Sequence, residues 1–167
     1  MYNTHMSHFI PASDISKSAG TWTAGESSSV VYETRTAGDA SFSLFVPLSV
    51  PGNSTYRAGS CLKSVDVYYK IATTAADDFA TVELLKITLP AASGSAASGA
   101  AVSAGIDAAH DTAAERKAVG EHLMRVTPVS APWIDDSEAY MLKLTVDAAA
   151  TTAFTLYGAR ALFELRA

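Results

Sequence analysis

The chain has 167 residues, and 12 Lys and Arg against 17 Asp and Glu give a net charge of −5. An acidic chain lacks the clustered cations that neutralise phosphates, which argues against a nucleic-acid surface. A single cysteine, Cys61, excludes an internal disulfide framework and a multi-Cys zinc site. No apolar run approaches the roughly 18 residues of a membrane span, and the start MYNTHMSHFIP lacks the basic and apolar regions of a secretory signal. These features lead us to expect one acidic domain, with no nucleic acid and no membrane as partner.

Residues 1–25 are polar, carry Gly20 and Gly25, and show neither strand nor helix period. They read as an N-terminal arm ahead of a domain over 26–167. Tyr2, Met6, Phe9, Ile10 and Trp22 are too sparse to form a core there. They suit a segment that orders on a partner, and are the candidate partner-binding residues.

Segments 29–36 (SVVYETRT) and 41–47 (SFSLFVP) are short, β-branched and aromatic, and the turn-like Ala37-Gly38-Asp39-Ala40 between them predicts a hairpin. In 60–72, Val65, Val67, Tyr69 and Ile71 share one face, while Ser64, Asp66, Tyr68 and Lys70 share a wet one. The run 79–89 is a strand whose inward face the pattern does not settle. Segment 90–119 begins with small, almost uncharged residues and reads as a long inter-strand excursion. It carries one short helix, capped by Asp111 or Thr112 and ended by Gly120.

Three more strands follow, at 121–128, 138–147 and 152–165. The second alternates most cleanly, with Tyr140, Leu142, Leu144 and Val146 on one face. The last carries bulk on both parities around Gly158, which predicts a bulge or a strand covered on both sides. Seven half-buried strands without crossover helices exclude a parallel sheet and predict an all-β antiparallel sandwich of jelly-roll type.

Chemistry-bearing motifs are few. His5, His8 and Asp14 lie close in sequence but not on fixed structure, and His110-Asp111 has no second cluster to complete a site. No G-x-S-x-G elbow or phosphate loop is present. Asp77-Asp78 and Asp135-Asp136 have the composition of a calcium loop, yet acidic pairs are ordinary turn residues. The expectation is no cofactor, no metal and no catalytic residue. Trp133, with Tyr56 and Phe79, supplies the rings that a carbohydrate platform needs.

The patterns SVDVYYKIATTAADDFATVELLKITLP, HDTAAERKAVGEHLMRVTP and WIDDSEAYMLKLTVDAAATTAFTLYGARA resemble small virion structural proteins of tailed-bacteriophage genomes, over residues 59–163. The resemblance implies a sandwich on the virion surface, made in the host cytoplasm. It would serve as a capsid decoration (cement) protein bound to the major capsid protein, as a homo-oligomer with a trimer favoured. The alternative it implies is a carbohydrate- or receptor-binding module of a tail or head fibre. It brings no catalytic residues.

Overall fold

A computed structural model describes residues 3–49, 60–90, 92–135 and 137–166. Twelve strands lie among these residues: β1 (Asn3–Pro11), β2 (Ser16–Lys17), β3 (Trp22–Ser27), β4 (Val30–Arg35), β5 (Ala40–Leu48), β6 (Ser60–Ala72), β7 (Asp78–Thr88), β8 (Ser98–Val102), β9 (Ala104–Ile106), β10 (Gly120–Pro128), β11 (Glu138–Ala148) and β12 (Ala153–Arg166). One turn of helix, α1 (Ala113–Arg116), is closed by a capping box in which Thr112 and Glu115 satisfy each other's backbone amides. No helix is long and apolar enough to cross a membrane.

The strands form two antiparallel sheets. One has seven strands in the order β3-β4-β12-β6-β10-β9, with β1 also on β12; the other has five, β2-β5-β11-β7-β8. Within them, β4-β12-β6-β10 faces β5-β11-β7-β8, and the chain passes from sheet to sheet at eight of the eleven connections between described strands. Those eight strands have the connectivity of a jelly roll, so the expected fold class is present. The core between the layers includes all eight residues singled out on 60–72 and 138–147, each 3% exposed or less. At its centre Phe154 meets Phe42 edge-on, with ring centroids 5.3 Å apart, and stacks on Tyr69 at 5.4 Å.

Three expectations are corrected. Strands β4 and β5 are not a hairpin: β4 pairs with β3 and β12, and β5 with β2 and β11. The linking residues cross between layers, held by buried Arg35, whose guanidinium donates to the carbonyls of Gly38 and Ala40 at 3.1 and 3.2 Å. The N-terminal arm is not separate either. Asn3–Pro11 pairs with β12 from Arg166 to Gly158, and Trp22–Ser27 pairs with β4. Sparse apolar residues suffice there because these strands pair their backbone with the sandwich and lend Ile10, Met6 and Trp22 to its core instead of building one of their own. Finally, the excursion 90–119 contains β8 and β9 as well as its helix, each completing a sheet edge with its backbone.

Irregularities explain the two ambiguous strands. A register shift opposite Thr145 and Asp147 changes the inward parity of β7, from Phe79 to Val82 and Leu84. A bulge at Tyr157 does the same in β12: Phe154 and Leu156 point inward before it, Ala159, Ala161 and Phe163 after it. Bulk on both parities of β12 therefore reflects a parity switch, not cover on both faces.

Candidate functional site

The bulge in β12 also builds a surface groove. Before it, β12 pairs with β4 at Phe154–Leu156; after it, the same edge pairs with β1 from Gly158 onward. Gly158 stands at this change of partner with φ +134°, and a Cβ there would lie 2.5 Å from the Ile10 carbonyl oxygen and 3.0 Å from the Phe9 ring. Only glycine takes that backbone without strain, and only its missing side chain lets β1 come so close. The floor at this point is bare backbone.

The tip of the β3–β4 hairpin, Ser27 to Val31, runs on past the part of β4 that pairs with β12. Between this overhang, β1, β6 and β12 lies a groove of 770 Å³ lined by Phe9, Pro11, Ser29, Val30, Val31, Tyr68, Tyr157 and Arg160. Phe9 is 58% exposed and Val31 65%. Tyr157, turned outward by the bulge, meets Tyr32 edge-on at 6.1 Å, and its hydroxyl donates to Glu121. The hairpin turn is itself strained: Ser28 and Ser29 both have positive φ, 51° and 66°. A two-residue turn of this kind favours Asn-Gly, and two serines there cost of order 1 kcal/mol each.

Beside the groove, one row crosses the sheet from Phe9 through Arg160 and Asp66 to Arg125. Arg125 grips Asp66 with two bonds, Nε–Oδ1 at 2.6 Å and Nη2–Oδ2 at 3.0 Å, and Arg160 Nη2 reaches Oδ2 at 2.6 Å. Asp66 is 2% exposed, although its position on the outer face had suggested a wet residue. Burial alone pulls its carboxyl up, but the two guanidinium groups outweigh that and hold it below the usual carboxylate range.

A second polar cluster ties the excursion to the sandwich. His110 Nδ1 lies 2.8 Å from Asp107 Oδ1, His110 Nε2 lies 3.2 Å from His122 Nδ1, and His122 Nε2 donates to the Ala118 carbonyl at 2.9 Å. His122 also stacks on Tyr69 at 4.6 Å, and buried Arg116 donates to the carbonyls of Phe79 and His110. In this cluster all four ring nitrogens of His110 and His122 have partners within the protein. Among the described residues, no three His, Cys, Asp or Glu side chains converge as metal ligands.

The residues expected to act from the arm separate. Ile10 is core, Met6 packs against the core, and Trp22 packs edge-on to Phe42 at 5.5 Å and donates to the Ala19 carbonyl. Phe9 alone of the four described is open, and it lines the groove. Tyr2 and Tyr56 lie outside the described residues. Phe79 is fully buried and cannot be a sugar platform. Trp133, 42% exposed, bridges to Cys61 near the start of β6 and is not among the groove residues. Tyr68, Tyr157, Arg160 and the hairpin tip were not anticipated. Their one signal in the sequence is the parity switch around Gly158.

No family model and no curated protein matches the chain. Among solved structures, the arabinose-bound GH51 α-L-arabinofuranosidase is similar at a TM-score of 0.36 and 10% identity, over 94% of this chain. The chain spans 24% of that enzyme's length, and a likeness at this level carries no argument about fold or function.

Proposed function

We propose that this chain is a non-enzymatic virion structural protein, a decoration protein that docks on the major capsid protein of a tailed-phage head through the outer face of its larger sheet. The observation that carries the docking is the gathering of Phe9, Val31, Tyr68, Tyr157 and Leu123 around Arg160 and Arg125 on that face. Aromatic residues and arginine dominate the energetics of protein interfaces, and exposed apolar patches mark contact surfaces. The sequence resemblance supplies the phage head as the setting. Jelly rolls recur in capsid proteins, which is an analogy of fold alone. A homotrimer on the virion surface belongs to the same reading.

Binding to heads assembled from the major capsid protein tests it. The native chain should co-sediment with heads, Val31→Asp and Tyr68→Asp should not, and Lys143→Asp on the other sheet should bind normally. Binding retained by both groove variants overturns the reading. The alternative, a carbohydrate- or receptor-binding fibre module, keeps an observation of its own: Tyr68 and Tyr157 line the groove beside Arg160. Copy number separates the two, because a decoration protein is present in virions at a level comparable to the shell subunit and a fibre module at a small fraction of it.

A further inference from the structure

The lining of the groove specifies more than an apolar contact. Its walls are Phe9, Pro11, Val30, Val31, Tyr68 and Tyr157, and Arg160 is its one permanently charged residue. Arg160 gives one Nη2 to Asp66 and is 44% exposed, and its Nε and Nη1 have no protein partner among the described residues. Charge is unbalanced at this spot. Elsewhere along these strands Lys63 pairs with Glu164 and Lys70 with Glu121. Around Asp66, two guanidinium groups face one carboxylate. Asp107, which accepts from the Arg125 backbone amide at 2.6 Å, adds a second carboxylate at the Arg125 end of the row, so the positive charge left over belongs to Arg160, beside the groove.

We infer that the groove receives a segment of a partner protein in which an apolar side chain stands next to a carboxylate. The apolar group seats between Phe9, Val31, Tyr68 and Tyr157, and the carboxylate takes the open donors of Arg160, a pairing suited to planar recognition. A polyhydroxylated sugar fits less well. The lining offers it few hydrogen-bonding groups, and the Tyr157 hydroxyl is already bound to Glu121. The strained Ser28-Ser29 turn points the same way, since strain is retained where the surroundings impose it, often at ligand clamps. The inference rests on the docking reading above and names the chemistry of its partner.

The test uses two blocked dipeptides, acetyl-leucyl-glutamyl-amide and its glutaminyl counterpart, titrated into the full chain at low salt and followed by amide and Arg Nε chemical shifts. The glutamyl peptide should bind about fivefold more tightly, with shifts confined to Phe9, Val31, Tyr68, Gly158 and Arg160. Arg160→Gln should abolish that preference. Arg125→Gln removes the other partner of Asp66 and stresses the fold similarly, yet should keep the preference. Equal binding of the two peptides overturns the inference, as does a preference lost equally in both variants. So does tighter binding of a neutral oligosaccharide such as maltohexaose at the same resonances, or the same shifts arising from self-association of the chain. Docking on heads that survives Arg160→Gln overturns this inference alone. A peptide preference without any docking overturns the docking reading and leaves this one standing.

Discussion

β11 and β12 are the central strands of their sheets, and each has partners on both edges, but they are built differently. β11 matches β5 residue for residue from Tyr140 to Ala148, and its inward row Tyr140, Leu142, Leu144, Val146 never changes parity. Its outward row closes on itself: Ser41 on Asp147 at 2.6 Å, Ser43 with Thr145 at 2.9 Å, Lys143 on Glu83 at 3.1 Å. β12 shifts register twice against β6 and divides its other edge between β4 and β1. A regular strand makes core and a quiet surface. An interrupted one leaves a gap between neighbours, turns a tyrosine outward and strands an arginine beside a carboxylate that it shares.

The largest effect expected from this contrast lies on the regular strand. Leu142 is fully buried between Val46 and Leu84. An aspartate there loses the leucine packing and buries an unpaired charge, together several kcal/mol or more against a total stability of about 5–15 kcal/mol. Leu142→Asp should yield no soluble folded protein, whereas the neighbouring Lys143→Asp should cost less than about 1 kcal/mol because its ion pair is largely solvated. Similar melting of the two variants by circular dichroism would mean that the parity of β11 is misassigned.

On the interrupted strand, the sensitive position is a glycine. Gly158→Val puts a branched side chain at a positive φ and against the Ile10 carbonyl, so β1 has to pull away from β12. A loss of about 3 kcal/mol or more is expected, with hydrogen exchange rising in β1 before the rest of the sheet. The matching change on β11, Thr145→Val, should stay within about 1 kcal/mol. A well-tolerated valine at position 158 would remove the bulge as the organiser of the groove.

These two strands also show what the sequence made legible. Strict alternation over 65–71 and 140–146 announces its core face because neither stretch carries an inserted residue of its own. Alternation on 79–89 and 152–165 was ambiguous for one physical reason: a single inserted residue exchanges the faces, and no side-chain chemistry marks where that happens except Gly158. The edge strands β1, β8 and β9 were invisible because each pairs along a single edge and brings only a few apolar residues, such as Ile10, Val102 and Ile106, to a core built mainly by other strands. The β4–β5 hairpin failed for the complementary reason. In a jelly roll, consecutive strands usually lie in opposite sheets, so nearness in sequence misleads. The groove draws on β1, the β3–β4 tip, β6 and the bulge of β12 together and was legible only in Phe9.

The charged row distinguishes the two strands by pH. The Asp66 carboxyl is held below its ordinary range in the fold, so it contributes stability that is fully present above the unfolded value of about 3.9 and is lost as pH falls from there through the lower value of the folded state. Asp66→Asn should be less stable than the native chain by about 1–2 kcal/mol at pH 7, the solvent-exposed arginines keeping the figure modest. The gap should close towards pH 2. Urea midpoints at pH 7, 4 and 3 measure it, and a gap independent of pH would show that the carboxylate gains nothing from Arg125 and Arg160.

The smallest effect has the opposite sign and falls on the groove rim. Ser28 and Ser29 form a two-residue turn with both φ positive, joining Ser27 to Val30 across the hairpin. Asn-Gly adopts that conformation with the least strain, so Ser28→Asn with Ser29→Gly should raise stability by about 1 kcal/mol, seen as a higher urea midpoint at unchanged slope. The same double change at a regular turn would be selected purely for stability. At this rim, a tighter hairpin also fixes Val30 and Val31 over the groove. If the serines are there to let the tip yield to a bound segment, the stabilised variant should bind the glutamyl dipeptide with a slower on-rate while its melting temperature rises. A variant that gains stability and binds at the native rate would make the turn a neutral irregularity. The bulge and Gly158 would then be left as the sole makers of the groove.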